Sequence, residues 1–314
     1  MTPTLLLSLV LTQTPAPSLH YTAPTVEEGA QRTLEGYDFT VWEPSGKKAD
    51  LYVGVDEANL RKSPAADAEV VTTLPLGAAV RVLERGKDRL KVGEYVNHWY
   101  SVEYLDTKGT PDGADDAVFK GWLFGNTLTP FRFEGDFDGD GEQEVATVVM
   151  SNDFKIRVRV LEPNVKPPRR VSSVDVNPSG QAYLSVDGGP VVARLVAAKT
   201  AGLALVQLDS TPEACGDFST VYVSYTVPGK KKSVLGKAKL ALSLGGLSDA
   251  PSYSSFKVSF EPKKKGLSVV RTNTEEDESG KELKTTERTR YQLKDGVFTE
   301  VAPAGAATAA QTQP

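Results

Sequence analysis

Short apolar runs, separated by Gly, Pro or Asp, are the feature that most limits what this chain can fold into. The runs are rich in Val, Tyr, Thr and Leu and have the length of ordinary strands. They lie at residues 69–74, 79–83, 99–103, 144–150, 155–161, 220–227, 254–260 and 267–274. The 3.6-residue period of an amphipathic helix is hard to find along the sequence. The pattern therefore predicts an all-β fold that ends in an antiparallel meander.

Histidine and cysteine are scarce, which limits the catalytic sites, zinc sites and disulfides that the chain can form. The sequence contains His20 and His98 as its histidines and Cys215 as its single cysteine, so an intrachain disulfide is excluded. Because His20 lies close to the N-terminus, a Ser-His-Asp, Cys-His or multi-histidine zinc site would depend on His98 alone. The formal net charge of -5 argues against nucleic acid as a partner. We therefore predict a non-enzymatic protein.

The N-terminus carries a candidate export signal. Residues 5–11 read LLLSLVL, an apolar run that fits a signal peptide and is too short to span a bilayer. The small residues Ala16 and Ser18 offer a cleavage site, so we expect a signal peptide at 1–18 and a periplasmic or extracellular protein. The alternative is a frayed apolar N-terminus. No other stretch approaches about 18 apolar residues, so we predict no transmembrane segment.

An ordered series of short motifs occupies residues 51–130. In chain order it reads ANLR at 58–61, SP at 63–64, VVTTLP at 70–75, Gly77, VRVL at 80–83, WY at 99–100, Val102, GW at 121–122 and LT at 128–129. This order resembles the bacterial SH3 family, in which N-L-R-x-x-P, L-x-x-G, W-x-x-V and a closing G-W-V/I strand mark a five-stranded barrel. The polar stretch at 106–120 departs from that pattern, and it is either decoration or a binding loop.

The resemblance also implies a binding role. Members of the family commonly bind peptidoglycan stems or other cell-envelope peptides through an aromatic-lined groove. Carried over to this chain, the resemblance suggests as ligand-binding residues Asn59, Arg61, Trp99, Tyr100, Trp122 and Phe124. For Tyr100 and Trp122 in particular, a place in the barrel core is the competing interpretation.

An acidic loop follows the predicted barrel. Residues 136–144 have the spacing D-x-D-x-D-G-x-x-E, in which glycines allow the chain to wrap and the carboxylates to converge. Oxygen ligands of this kind suit calcium, and we expect it to have a structural role. The predicted ligands are the carboxylates of Asp136, Asp138, Asp140 and Glu144 and the backbone carbonyl of Glu142.

Two comparisons refine the expectation for this loop. It is not an EF-hand, because that loop needs a glutamate at its twelfth position, where this chain has Thr147. It resembles instead the calcium loops of FG-GAP repeats in integrin-type propellers, although a single copy does not imply a propeller. The alternative is an acidic turn that binds no metal.

Together these observations predict a small SH3-like barrel plus a second antiparallel β-rich domain. The expected segments are a leader at 19–49, the barrel at 50–130, the β-rich domain with the calcium-type loop at 131–301 and a disordered tail at 302–314. We expect an exported cell-envelope binding protein that recognises a cell-wall peptide or an envelope protein. The alternatives are a purely structural or protein-interaction role and, third, a metal-dependent hydrolase that uses the same carboxylates.

Overall fold

The computed structural model describes residues 18–22, 36–39, 50–93, 95–107, 116–150, 155–166, 169–177, 191–210, 216–229, 231–277 and 279–301. The fold is nearly all β, as the sequence predicts. The predicted signal peptide up to residue 17, Cys215 and the predicted tail at 302–314 lie outside the described residues.

Antiparallel strands make up most of the described chain. Numbered along the sequence, they are β1 (Ser18–Thr22), β2 (Gly36–Phe39), β3 (Asp50–Val53), β4 (Glu57–Arg61), β5 (Val70–Pro75), β6 (Ala79–Val92), β7 (Tyr95–Asp106), β8 (Ala117–Phe124), β9 (Leu128–Thr129), β10 (Arg132–Gly135), β11 (Glu144–Met150), β12 (Ile156–Leu161), β13 (Val171–Val176), β14 (Val191–Val196), β15 (Leu205–Ser210), β16 (Gly216–Thr226), β17 (Lys237–Asp249), β18 (Ser252–Glu261), β19 (Gly266–Glu276), β20 (Glu282–Lys294) and β21 (Val297–Glu300). Helical structure in the described residues is limited to α1 (Ala198–Ala201) and the 3-10 turns Gly125–Thr127 and Pro262–Lys264.

The first sheet contains the predicted barrel region. Its seven strands follow the order β5-β4-β8-β7-β6-β3-β9. Side chains alternate along β4, where Ala58 and Leu60 are buried and Asn59 is exposed, because successive residues of a strand point to opposite faces. Val80 and Val82 of β6 alternate in the same way. These inward side chains form the core of the barrel together with Tyr100.

The rest of the chain forms two sheets. A four-stranded sheet follows the order β10-β11-β12-β13, and a ten-stranded sheet follows the order β2-β1-β14-β15-β16-β17-β18-β19-β20-β21. The strands β1 and β2 come from the segment expected to be a leader, apart from Ser18 at the end of the predicted signal peptide, and β1 pairs with β14. The structure thus divides the region 131–301 between two sheets and adds an N-terminal hairpin to the larger one.

One continuous apolar core joins the three sheets. It contains Leu51 and Leu60 from the barrel, Val148 from β11 and Val206 and Val223 from the ten-stranded sheet, all essentially inaccessible to solvent. The barrel therefore does not have a core separate from that of the β-rich region.

Polar contacts fix the barrel against β11. The hydroxyl of Thr147 donates a hydrogen bond to the carbonyl of Gly54 (3.2 Å), and the hydroxyl of Thr129 donates one to the carbonyl of Val148. At Gly54 a β-carbon would overlap a methyl group of Val149, so only glycine allows the two backbones to come this close. The acidic loop between β10 and β11 is thereby held in a defined place relative to the barrel.

Candidate functional site

The aromatic residues predicted to bind ligand are mostly buried. The exposed fractions are 3% for Trp99, 0% for Tyr100 and 7% for Phe124. Trp99 and Tyr100 are adjacent on β7 and point to opposite faces, so β7 is covered on both faces here. The Trp99 and Phe124 rings pack against each other with 5.4 Å between centroids. In this structure these three side chains pack the interior and are not available to stack on a ligand.

Elements that are not among the barrel motifs lie against β7. Tyr100 faces the barrel core, whereas β2 and the 3-10 turn Gly125–Thr127 lie against β7 as well. The N-terminal strand β2 is therefore a neighbour of β7 that the motif order within residues 51–130 does not contain.

The other three predicted residues remain accessible and lie together. Trp122 on β8 is half-buried and is the register partner of Arg61 on β4. Arg61 donates a hydrogen bond from Nη1 to the carbonyl of Ala68 (2.6 Å), and Asn59 accepts one from the hydroxyl of Thr73 (2.9 Å).

Two further features shape this part of the barrel. Gly121 permits β4 and β8 to approach, since a β-carbon there would lie 2.6 Å from the carbonyl oxygen of Arg61. Exposed Val70 on β5 is the other register partner of Arg61. We call the surface made by Asn59, Arg61, Val70 and Trp122 the β4 face.

The acidic loop wraps as its glycines predict. Gly139 and Gly141 have positive φ values of 79° and 90°. Asp136 accepts hydrogen bonds from the backbone N–H groups of both glycines, at 2.6 and 3.1 Å. Asp138 and Asp140 each accept a hydrogen bond from the N–H group two residues later, at 3.0 and 2.7 Å. The loop backbone is therefore organised by its own carboxylates.

Three of the predicted metal ligands converge. Asp136, Asp138 and Glu144 each bring one carboxylate oxygen into a group whose members lie within 4.8 Å of one another. Asp140 is not part of this group. The side chain of Glu142 turns instead to Ser233, accepting hydrogen bonds from its backbone N–H (2.7 Å) and its hydroxyl (3.1 Å).

Two oxygens in this group are buried without a hydrogen-bond partner among the described residues. They are Oδ2 of Asp138 and Oε1 of Glu144, whereas Oε2 of Glu144 accepts a hydrogen bond from the N–H of Phe137 (2.6 Å). Burial raises the pKa of Glu144 to about 8 and is also the main cause of a raised pKa at Asp138. A buried carboxylate oxygen without a partner is costly, and a hard cation with oxygen ligands would remove that cost. The donor set therefore fits calcium.

A buried carboxylate that the motif does not contain lies beside this group. Glu162 directly follows β12 and is 1% exposed. Its Oε2 accepts a hydrogen bond from the hydroxyl of Tyr225 (3.1 Å), and its Oε1 is buried without a partner. Burial is the main cause that raises the pKa of Glu162 to about 6, and the charges of Asp138 and Asp140 raise it further. In the sequence Glu162 precedes Pro163 and looks like a turn residue, so nothing local indicated this position.

A groove of about 720 Å³ opens beside the loop, between it and the ten-stranded sheet. Asp136 and Asp138 contribute to one wall, Leu195 and Val227 are among its apolar residues, and Lys239 also lines it. The volume is in the range of small-molecule pockets. The acidic loop therefore borders a cavity as well as the interior of the fold.

No helix in the described part of the chain has the length and apolar character needed to cross a membrane. No curated protein and no solved structure matches the chain. Nothing in the comparisons supports the resemblance of the acidic loop to FG-GAP calcium loops, so the case for metal there depends on the residues themselves.

The family model described as bacterial SH3 domain matches residues 56–129. An SH3-like domain is therefore present within the chain, and such a domain is typically a binding module rather than a catalytic one.

Proposed function

We propose that this protein is exported and binds peptidoglycan or another cell-envelope peptide through its SH3-like domain, while calcium stabilises the β-rich region. The observation that carries the proposal is the β4 face, where Trp122, Arg61 and Asn59 stay accessible on the domain that matches the bacterial SH3 family. Export rests on the apolar run at 5–11. N-terminal sequencing of the protein from its host should find a start near Leu19, and an intact Met1 would refute export.

The chemistry of the β4 face suits a peptide. Trp122 offers an apolar surface together with an indole N–H, and Val70 extends that surface on the neighbouring strand. The hydrogen bond from Arg61 to Ala68 fixes the guanidinium while leaving further N–H groups for a ligand. A guanidinium held in this way is suited to a carboxylate or a peptide carbonyl. A short peptide with a free carboxylate can satisfy all of these groups.

Pull-down on purified cell-wall sacculi tests the wall-binding proposal. We expect Trp122→Ala and Arg61→Gln each to weaken binding about tenfold, the usual effect of losing an interface anchor. Arg81→Gln is the matched control, because Arg81 is an exposed arginine of the same domain whose ion-pair partner is Glu103. Full binding by Trp122→Ala would show that the β4 face is not the binding surface. A wild-type protein that stays in solution would refute wall binding.

The calcium proposal is supported by the partnerless buried oxygens of Asp138 and Glu144. Calorimetry on chelator-treated protein should show one calcium ion bound per chain, with magnesium much weaker because it requires a tight octahedral shell. At ten times the dissociation constant, calcium should stabilise the fold by about 1.4 kcal/mol. Asp138→Asn should remove this effect. Unchanged melting in several millimolar calcium would mean that the loop is an acidic turn.

A protein-interaction role without wall binding is the second candidate. The observation that favours it is an exposed apolar pair, Leu105 on β7 and its register partner Val118 on β8, with exposed fractions of 51% and 58%. Apolar side chains exposed side by side are common at protein contacts. If Leu105→Ser abolishes capture of an envelope protein while sacculus binding is absent in the wild type, this candidate is correct.

A further inference from the structure

We propose that Glu162, which lies outside the acidic loop, belongs to the cation site and that its negative charge strengthens cation binding there. The inference rests on the proposed calcium site and extends it. It assigns the site a carboxylate from a second part of the chain and a partner in a third part.

The burial of Glu162 is the first support. A glutamate that is 1% exposed is normally paired or fully hydrogen-bonded. Here one carboxylate oxygen has Tyr225 as its donor, and the other has no partner among the described residues. Partnerless buried oxygens also occur on Asp138 and Glu144, and Glu162 interacts electrostatically with both. A single cation would stabilise all three, whereas three separate explanations would otherwise be needed.

The placement of Glu162 defines how it acts. It lies outside the group formed by Asp136, Asp138 and Glu144, whose ligand oxygens are within 4.8 Å of one another. We therefore assign it as a positioning residue, which adds negative charge next to the closest ligands. Replacing a carboxylate in such an outer position commonly changes metal affinity by about 10–100-fold.

Hydrogen bonds lead from Glu162 and from the acidic loop to the ten-stranded sheet. The Tyr225 hydroxyl donates to Glu162 and accepts a hydrogen bond from the backbone N–H of Gly236. Glu142 of the acidic loop binds Ser233 in the same connection between β16 and β17. Two acidic residues at the site therefore reach one connection of the ten-stranded sheet.

Glu162→Gln separates a charge role from a merely structural one. The glutamine keeps a carbonyl oxygen that can accept the Tyr225 hydrogen bond, and it loses only the charge. By calorimetry at pH 7.5 we expect the calcium dissociation constant to rise about tenfold. The melting temperature of the metal-free variant should rise, because one of several mutually repelling carboxylates is gone. A structural role predicts the opposite: an unchanged calcium affinity and a melting temperature that is unchanged or lower.

Two control variants complete the experiment. Tyr225→Phe removes the hydrogen bond and keeps the charge of Glu162, so calcium affinity should change less than about threefold, the effect expected of a single weak hydrogen bond. Glu103→Gln removes a charge on β7 of the barrel and should leave the calcium affinity unchanged. The inference is wrong if Glu162→Gln binds calcium as the wild type does, or if Tyr225→Phe weakens binding equally. A wild type that binds no calcium would refute the proposed site itself, which is a distinct result.

Discussion

Replacing Glu144 with glutamine should make the metal-free protein more stable at neutral pH, although the side chain is fully buried. Ionised Glu144 is held out of water next to Asp138 and Glu162, and these causes raise its pKa to about 8 from the usual 4.5. Glutamine can still accept the hydrogen bond from the N–H of Phe137. The substitution therefore removes the charge with little change in shape.

The magnitude follows from linkage. Because the pKa of Glu144 is higher in the folded state than in the unfolded chain, folded protein retains a proton that unfolded protein loses between about pH 4.5 and 8. Stability must then fall as pH rises through this window, by up to about 1.4 kcal/mol per pH unit. From pH 5 to 7.5 the loss from this residue is on the order of 3 kcal/mol. The raised pKa of Glu162 adds to the same trend.

Urea denaturation of chelator-treated protein at pH 5, 6 and 7.5 measures this loss. We expect the free energy of unfolding to fall with pH in the wild type and in the exposed-residue control Glu300→Gln, and to fall much less in Glu144→Gln. Calcium should restore stability at pH 7.5 in the wild type and in Glu300→Gln, and not in Glu144→Gln, because a cation binds the deprotonated ligands. A wild type equally stable at pH 5 and 7.5, or a slope that survives in Glu144→Gln, would refute the reasoning.

Gly54→Ala should destabilise the fold by about 1–3 kcal/mol, because the new methyl group overlaps Val149 and contacts Thr129, and Val149→Ala in the same chain should recover part of the loss. An unchanged urea midpoint for Gly54→Ala would contradict the close approach of the barrel to β11. Trp99→Ala should lower the free energy of unfolding by about 3–5 kcal/mol because Trp99 is buried. Trp122→Ala should lower it less, because Trp122 is half-buried. Thermal melts of the two tryptophan variants check this order, and a reversed order would show that Trp99 is not an interior residue.

Local patterns in the sequence predicted much of the fold. Alternation along β4 and β6 places Leu60, Val80 and Val82 inside the barrel, because side-chain direction along a strand depends only on neighbouring residues. The order of short motifs predicted the SH3-like domain, and the glycines of residues 136–144 predicted a wrapped loop. Each of these features is encoded within a few residues.

Features that depend on distant contacts could not be predicted. Trp99 was a candidate ligand-binding residue, yet it is 3% exposed and packs on Phe124, a contact that forms only when β7 pairs with β8. Glu162 looked like a turn residue, because its significance comes from Tyr225 and from the loop, which approach it only in the folded chain. Asp140 has the spacing of a ligand yet lies outside the converging group, and its Oδ1 accepts a hydrogen bond from the N–H of Glu142.

The pairing of β1 with β14 has a consequence for how the protein is made. Leu19 pairs with Val191, so the first described strand has no partner on that side until residue 191 has been synthesised. Along the chain, the SH3-like domain and the four-stranded sheet lie between β2 and β14, which are both strands of the ten-stranded sheet. Closure of such a long-range pair is slow compared with the hairpins it encloses, and an open strand edge meanwhile invites pairing with other chains. With this long-range pairing, the exposed strand edge is covered only when the whole chain folds together in one compartment.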